Sequence, residues 1–395
     1  MEAPLRRSAS HIIALCIAAL AGACASQRPP AWILPTARLA GDIELVAALP
    51  GAMPTGVAVS NAGRVFVSFP RWGDPVPFTV AEIRDGIPVA FPGAVFNRFD
   101  RERPGETLVS VQSVVIDAKD RLWLLDTGSF NFAPVLPGAA KLVAVDLATN
   151  RVAKTIRIPA EVALPTSYLN DVRFDLRHGA EGVAYITDSS DRGPNAIIVV
   201  DLASGTSLRR LDDHLSTRPE PGFVPFVEGR ALMQQQRGQA PRPLAVGADG
   251  LALSADGARL YYCALASRRL HSVDAALLRD PAASDDAVAA SVRDEGMKPA
   301  SDGLESDAQG RVYFTAYELN AILRRTTGPR YETLVRDARV LWPDSLALAH
   351  DGHLYFTSNQ LNRLPAFNDG VDLRQKPYAV FRVKVDGTPL RLGPS

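Results

Sequence analysis

Short apolar runs alternate with tight polar turns along this chain, and the unit that repeats is longer than one strand. It reads as a polar residue, a small residue, an apolar strand, a turn of the Asp/Asn-Gly type and a second apolar strand. Six segments follow it: PTGVAVSNAGRVFVSF, VQSVVIDAKDRLWLLD, LNDVRFDLRHGAEGVAYITD, ADGLALSADGARLYYC, SDGLESDAQGRVYFTA and PDSLALAHDGHLYFTS. Apolar, β-branched runs bounded by Asp, Asn and Gly mark strands. A long-period repeat of short strands marks a closed radial array. The pattern therefore predicts an all-β fold, a six-bladed β-propeller.

The leading polar residues are Thr55, Gln112, Asn170, Asp249, Asp302 and Asp344. In a propeller, one residue per repeat at the start of the innermost strand faces the common axis, so these six predict a polar ring around one channel mouth. Their separations are 57, 58, 79, 53 and 42 residues. A four-stranded blade takes about 40–50 residues, so the gap of 79 holds an insertion, placed at residues 214–243. Apolar runs at 43–48 and 378–385 predict an N-terminal strand pairing into the last blade, which removes two exposed edges. Helical periodicity is confined to short stretches such as residues 274–278.

Strand direction sorts the loops. Connections after each second strand, and from each outer strand to the next blade, fall on the ring face. Arg71, Trp72, Phe130, Phe132, Arg192, Tyr317 and Asn359 are thereby the expected mouth-lining residues, and the insertion is a candidate lid. Trp72, Phe130 and Tyr317 are the aromatic candidates for a wall against a flat ligand.

Composition changes this picture little. The chain has 395 residues, 47% hydrophobic and 22% charged, with net charge +0. That balance gives no reason to invoke nucleic acid or an anionic membrane surface. The amino terminus is distinct from the fold. Arg6 and Arg7 precede an apolar stretch at 12–20, then Ala21, Gly22, Ala23 and Cys24. This is an export signal, and the small residues before Cys24 resemble a bacterial lipoprotein cleavage site with an acylated cysteine. The expected organisation is a signal at 1–23, a linker at 24–41 and the propeller at 42–395. The expected location is the periplasm or cell surface, with the membrane met only through a lipid on Cys24. The only other cysteines are Cys16, inside the signal, and Cys263 in an apolar strand, so no internal disulfide is expected. No zinc-binding spacing, nucleophile elbow or phosphate-binding loop occurs.

The ring carries the candidate chemistry. Converging oxygens suit a hard cation such as calcium, and closely held carboxylates share protons and act as acid or base. Asp302 and Asp249 are the expected catalytic groups. Asn170, Asp249 and Asp302 are the expected ligands of one divalent cation. Thr55, Gln112, Asn170, Asp171 and Asp344 are expected to bind the ligand, with Arg71, Trp72, Phe130, Tyr317 and Asn359. Asp and Asn also cap local backbone where loops enter strands; that is the structural reading of any one of these positions.

The chain resembles the major royal jelly / Yellow protein family, in its bacterial branch. The resemblance is carried by VQSVVID at 111–117 with RLWLLDTG at 121–128, by Leu169-Asn170-Asp171, by AYITDS at 184–189, and by residues 196–201 with 209–214. It implies a six-bladed propeller, secretion in the insect members, dopachrome-converting activity in some and binding of small aromatic amines in others. A more distant resemblance joins Ser301-Asp302-Gly303 with Asp307-Ala308-Gln309-Gly310 to gluconolactonase and senescence-marker propellers. There, carboxylates and an amide at the inner-strand starts bind a divalent metal. Thr55 stands where that family places a Glu ligand. The expected function is binding of a small polar or aromatic metabolite at the channel mouth, by a monomer. The ring admits metal-assisted lactone hydrolysis or tautomerisation of a quinone-like substrate. A non-catalytic envelope scaffold is the alternative.

Overall fold

Each apolar run becomes a strand because its β-branched and aromatic side chains fit a pleated, half-buried surface. The computed structural model describes residues 39–235 and 237–394. The signal, Cys24 and the linker as far as residue 38 lie outside the described residues. Six four-stranded antiparallel sheets follow one another in order. Their inner strands are Val57–Val59, Val111–Ile116, Leu169–Asp175, Ala248–Leu253, Ser301–Ser306 and Pro343–Leu348. Each inner strand packs against that of the next blade, and the sixth packs on the first, so the ring closes. The fold is a six-bladed β-propeller.

The sixth blade takes its outermost strand, Ile43–Leu49, from the amino-terminal side. That strand pairs antiparallel with Tyr378–Lys384. The array is thereby stitched by backbone hydrogen bonds, with no disulfide among the described residues: Cys263 is a free, buried thiol. Helices Ala275–Arg279 and Asp285–Ala290 lie between the third and fourth strands of blade 4, capped by Asp274 and Ser284.

The hairpin turns on the face away from the ring repeat one motif. Asp117 accepts the indole N–H of Trp123 (2.8 Å) and Arg121 Nε (2.8 Å). Asp307 does the same for Tyr313 Oη (2.8 Å) and Arg311 Nε (2.6 Å). On that face the carboxy-terminal tail crosses the channel: Leu176 donates its N–H to Leu392 O and Ala308 donates to Thr388 O. Arg173 and Glu305 fill the lumen above it.

The segment expected as an insertion at 214–243 connects blade 3 to blade 4 across the ring face. It carries two small hairpins, Phe226–Val227 with Arg230–Ala231 and Met233–Gln234 with Arg242–Pro243. Its apolar residues Phe223, Val227 and Leu232, with Leu244 just beyond it, form one cluster with Tyr317 and Trp342 of blades 5 and 6.

The inner strands crowd one another at the ring. A Cβ on Gly250 would lie 2.3 Å from Asp302 O, and one on Gly303 2.3 Å from Asp344 O. Both glycines directly follow a ring residue, and neither clash is relieved by a side-chain movement, because the obstructing atom is backbone. Gly51 has open space around it. Gly250→Ala and Gly303→Ala are expected to lose about 1–3 kcal/mol in urea unfolding, in the range of overpacked cores, with Gly51→Ala within about 0.5 kcal/mol of the parent. Equal stabilities for all three would show that the ring has room to relax.

Candidate functional site

A β-bulge sits at the ring residue in five of the six blades. The strand register slips between Val111 and Ser113, Leu169 and Val172, Ala248 and Leu251, Ser301 and Leu304, and Pro343 and Leu346. A bulge bends the strand and re-aims a side chain. Hydroxyls on the second strands then tie neighbouring blades: Ser68 Oγ donates to Gln112 O, Thr187 Oγ1 to Asp249 O and Thr357 Oγ1 to Thr55 O. All six ring residues are buried.

The ring divides into two halves. Thr55 belongs to neither: its Oγ1 donates to the backbone of Gln112 (2.7 Å) and contacts Ser68 Oγ (3.1 Å). On one side, Gln112 Oε1 accepts Tyr168 Oη (3.0 Å), which in turn accepts Trp72 Nε1 (2.6 Å). Phe132 stacks on Trp72 at 5.2 Å and lies 5.4 Å from Tyr168. On the other side, Asn170 Nδ2 donates to Asp249 Oδ1 (2.6 Å), Trp342 Nε1 to Asp302 Oδ2 (2.7 Å) and Asn359 Nδ2 to Asp344 Oδ2 (2.6 Å). Asp171 accepts Ser113 Oγ (3.0 Å) and pairs with Arg173 (2.7 Å).

Burial sets the electrostatics of the acid half. It pushes the Asp249 carboxyl well above its usual range, and the nearby carboxylates Asp302, Asp344 and Asp171 add to the rise. Asp344 is likewise raised well above, first by burial and then by Asp302. Asp302 is pushed up to about 7 by burial, against the lowering effect of the Trp342 and Asp249 hydrogen bonds. Among the described residues none of the three forms a salt bridge. The neighbouring cation is Lys298, buried and spent on the carbonyls of Ser267 (3.3 Å) and Pro299 (3.0 Å); burial lowers its pKa, with Cys263 and Asp249 opposing. Three acids in one dry place hold protons at neutral pH or attract a positive ligand.

The expected mouth residues take different places. Trp72 stands over the ring through Tyr168. Asn359 holds Asp344. Tyr317 is fully buried, stacked on Trp342 at 4.2 Å and 11°, with its Oη donating to Leu265 O. Arg71 is buried and donates to the carbonyls of Val109 (2.7 Å) and Asn97 (3.0 Å), tying two loops together. Phe130 stacks on Phe99 at 5.4 Å, and Arg192 donates to Phe132 O. Sequence reasoning missed Tyr168 and Trp342. Both stand two residues before a ring position, 170 and 344; an aromatic at that offset was the available signal.

The donors expected for a cation, Asn170, Asp249 and Asp302, lie together at the ring. This oxygen-only set suits a hard ion in chemistry. It supplies two carboxylates, Thr55 supplies none, and among the described residues no group of three or more His, Cys, Asp or Glu is arranged to hold a metal.

A sequence model of the family described as "Major royal jelly protein" matches residues 109–388. Major royal jelly protein 1 of Apis mellifera is 28% identical over 53% of this chain and 48% of its own length. Protein yellow of Drosophila madeirensis is 26% identical over 60% of this chain and 41% of its own. The chain thus spans about half, or less, of the length of these relatives. Among solved structures, the calcium-binding protein regucalcin of Agrobacterium tumefaciens superposes with a TM-score of 0.52 at 15% identity, over 89% of this chain and 97% of that one. The gluconolactonase XC5397 of Xanthomonas campestris gives 0.52 at 12% identity, over 89% and 99%. These superpositions show a shared fold.

The raised acids make a signed prediction about stability. Asp302 holds its proton more tightly folded than unfolded, so the stability it contributes is full below the unfolded value near 4 and is lost as pH rises through about 7. The melting temperature of the parent is expected to fall by a few °C from pH 5.5 to pH 8 relative to Asp302→Asn, which carries no titrating group there. Parallel melting curves for the two proteins across that range would refute the assignment.

Proposed function

The chain belongs to the major royal jelly protein family, and on that footing we propose that it is an exported propeller that binds a small cationic aromatic molecule, of the aromatic-amine class, at the ring face. The observation that carries this reading is the pairing of two features on one ring. Asp249, Asp302 and Asp344 form a buried acid half with no salt bridge among the described residues. Trp72, Phe132 and Tyr168 form an aromatic platform beside Gln112. An ammonium answers the first and a flat ring the second. Cation–π contact with the platform adds to the attraction, and desolvation strengthens the charge pairing.

Asp302, poised near neutral pH, is also suited to move a proton to or from a bound ligand. The isomerase reading assigns it that role, with Asp249 as its hydrogen-bonded partner and Gln112 as a hydrogen-bond donor to substrate. A second reading rests on the donor set Asn170, Asp249 and Asp302. These residues would hold one divalent cation, which supplies Lewis acidity for opening a lactone. The amino-terminal segment supports export, with Cys24 as the acylated residue of a lipid anchor, and the propeller is proposed to act as a monomer.

Calorimetry with dopamine and tryptamine, against their carboxylate analogues, tests the leading reading. The amines are expected to bind, the acids not to. Affinity is expected to rise with pH through about 7 as Asp302 ionises, and Asp302→Asn is expected to weaken binding about tenfold or more. Equal binding of amines and acids, or no amine binding at millimolar concentration, would overturn it. Stoichiometric divalent metal lost in Asp302→Ala, with turnover of a lactone, would establish the second reading instead.

A further inference from the structure

Every ring residue is buried, so access to the ring depends on the segments packed around its face. The cover over blades 4 to 6 is the hairpin of the blade 3–4 connection, Phe226–Val227 with Arg230–Ala231. It is held at its rim by a small number of polar ties. Phe226 donates its N–H to Glu318 Oε1 (2.7 Å). Glu228 pairs with Arg363 and accepts Asn362 Nδ2 (2.7 Å). Arg230 donates to Asn368 Oδ1 (2.8 Å). Beneath these ties Phe223, Val227 and Leu232 share one apolar cluster with Tyr317 and Trp342.

Trp342 is the member of that cluster that reaches the ring. Its ring face lies on Tyr317 at 4.2 Å, and its indole N–H donates to Asp302 Oδ2 at 2.7 Å. It is fully buried, yet its backbone is left-handed, with φ +48°. For a bulky side chain that conformation is strained and persists only where the surroundings enforce it. The Trp342 backbone is pinned by the Asn359 N–H on Trp342 O (3.2 Å) and the Gln360 N–H on Leu341 O (3.1 Å), and its side chain is held by the hydrogen bond to Asp302 on one side and the stack and hairpin cluster on the other.

We propose that Trp342 is a positioning residue that latches the Phe226–Ala231 hairpin to Asp302, so that opening the cover and releasing the Asp302 carboxylate are one event. This rests on the ring-face reading above and extends it: the ligand is admitted on the side of blades 4 to 6, and its cationic group takes over the acceptor that the indole gives up. The groups facing Asp302 are Asp249, Asp344, Asp171, Cys263 and Tyr317; Asp249 shares a hydrogen bond with it from outside the cover, and the Tyr317 hydroxyl is spent on Leu265 O, so the indole is the donor to Asp302 that the cover holds.

Hydrogen exchange of the backbone amides of residues 223–232 tests the latch without any ligand. Trp342→Phe keeps an aromatic ring on Tyr317 and removes the donor; Asp302→Ala removes the acceptor. Each is expected to speed exchange in the hairpin about tenfold, and the double variant no further, because one bond is lost in all three. Exchange at the parent rate in both single variants, or additive acceleration in the double, overturns the latch. If Trp342→Phe does not fold, Asp302→Ala against Asp302→Asn decides alone, since the asparagine retains an acceptor for the indole and is expected to exchange like the parent. Stopped-flow association of dopamine is the linked measurement: faster in Trp342→Phe if the cover gates entry. Absence of dopamine binding in every protein counts against the amine reading, while the exchange data still decide the latch.

Discussion

The closeness of six inner strands at one axis governs the rest of this structure. Gly250 and Gly303 stand where a methyl group would meet the next strand's backbone. Ser68, Thr187 and Thr357 cross from one blade to a carbonyl of the next. The bulge at the ring residue is what such crowding leaves room for: one residue steps out of the ladder and its side chain is turned toward the channel. A repeat built for packing thus delivers a ring of polar groups, whatever those groups are.

Burial then gives the ring its chemistry. An aspartate in water is a weakly interacting anion; three of them in a dry channel mouth, without a salt bridge among the described residues, hold protons or seek a positive partner. The hydrogen bonds decide which oxygen is free. Asn170, Trp342 and Asn359 each occupy one oxygen of one aspartate, and Asp249 and Asp302 also hydrogen-bond each other. The opposite half is neutral and aromatic, and the two halves ask for different parts of one small molecule.

The resemblance at residues 112–128 turns out to be structural in its most specific part. Asp126 accepts the N–H groups of Val109, Ser110 and Gly128, and pairs with the buried Lys141 at 2.8 Å. It holds the blade 2 loops and touches nothing at the ring. Asp188 plays the same part in blade 3, with Arg209, Tyr168 N–H and Ser167. Through Tyr168, that loop anchor reaches the aromatic half of the site.

Period and polarity along the chain determined the propeller, its six blades and the six ring positions, because strand alternation and turn chemistry are local and survive in one dimension. The same pattern placed the insertion on the ring face. It did not separate Thr55, whose hydroxyl is spent on Gln112 O, from Gln112, whose amide meets Tyr168. Nor did it find Trp342 or Tyr168, or show that Arg71 serves two loop carbonyls. Those facts depend on which neighbour a side chain meets after the ring closes, across separations of 40 residues for Trp342–Asp302 and 96 for Trp72–Tyr168. Strand direction sets which end of the channel a residue occupies; only the tertiary structure decides which partner takes its hydrogen bond, and in a dry channel that partner sets its charge.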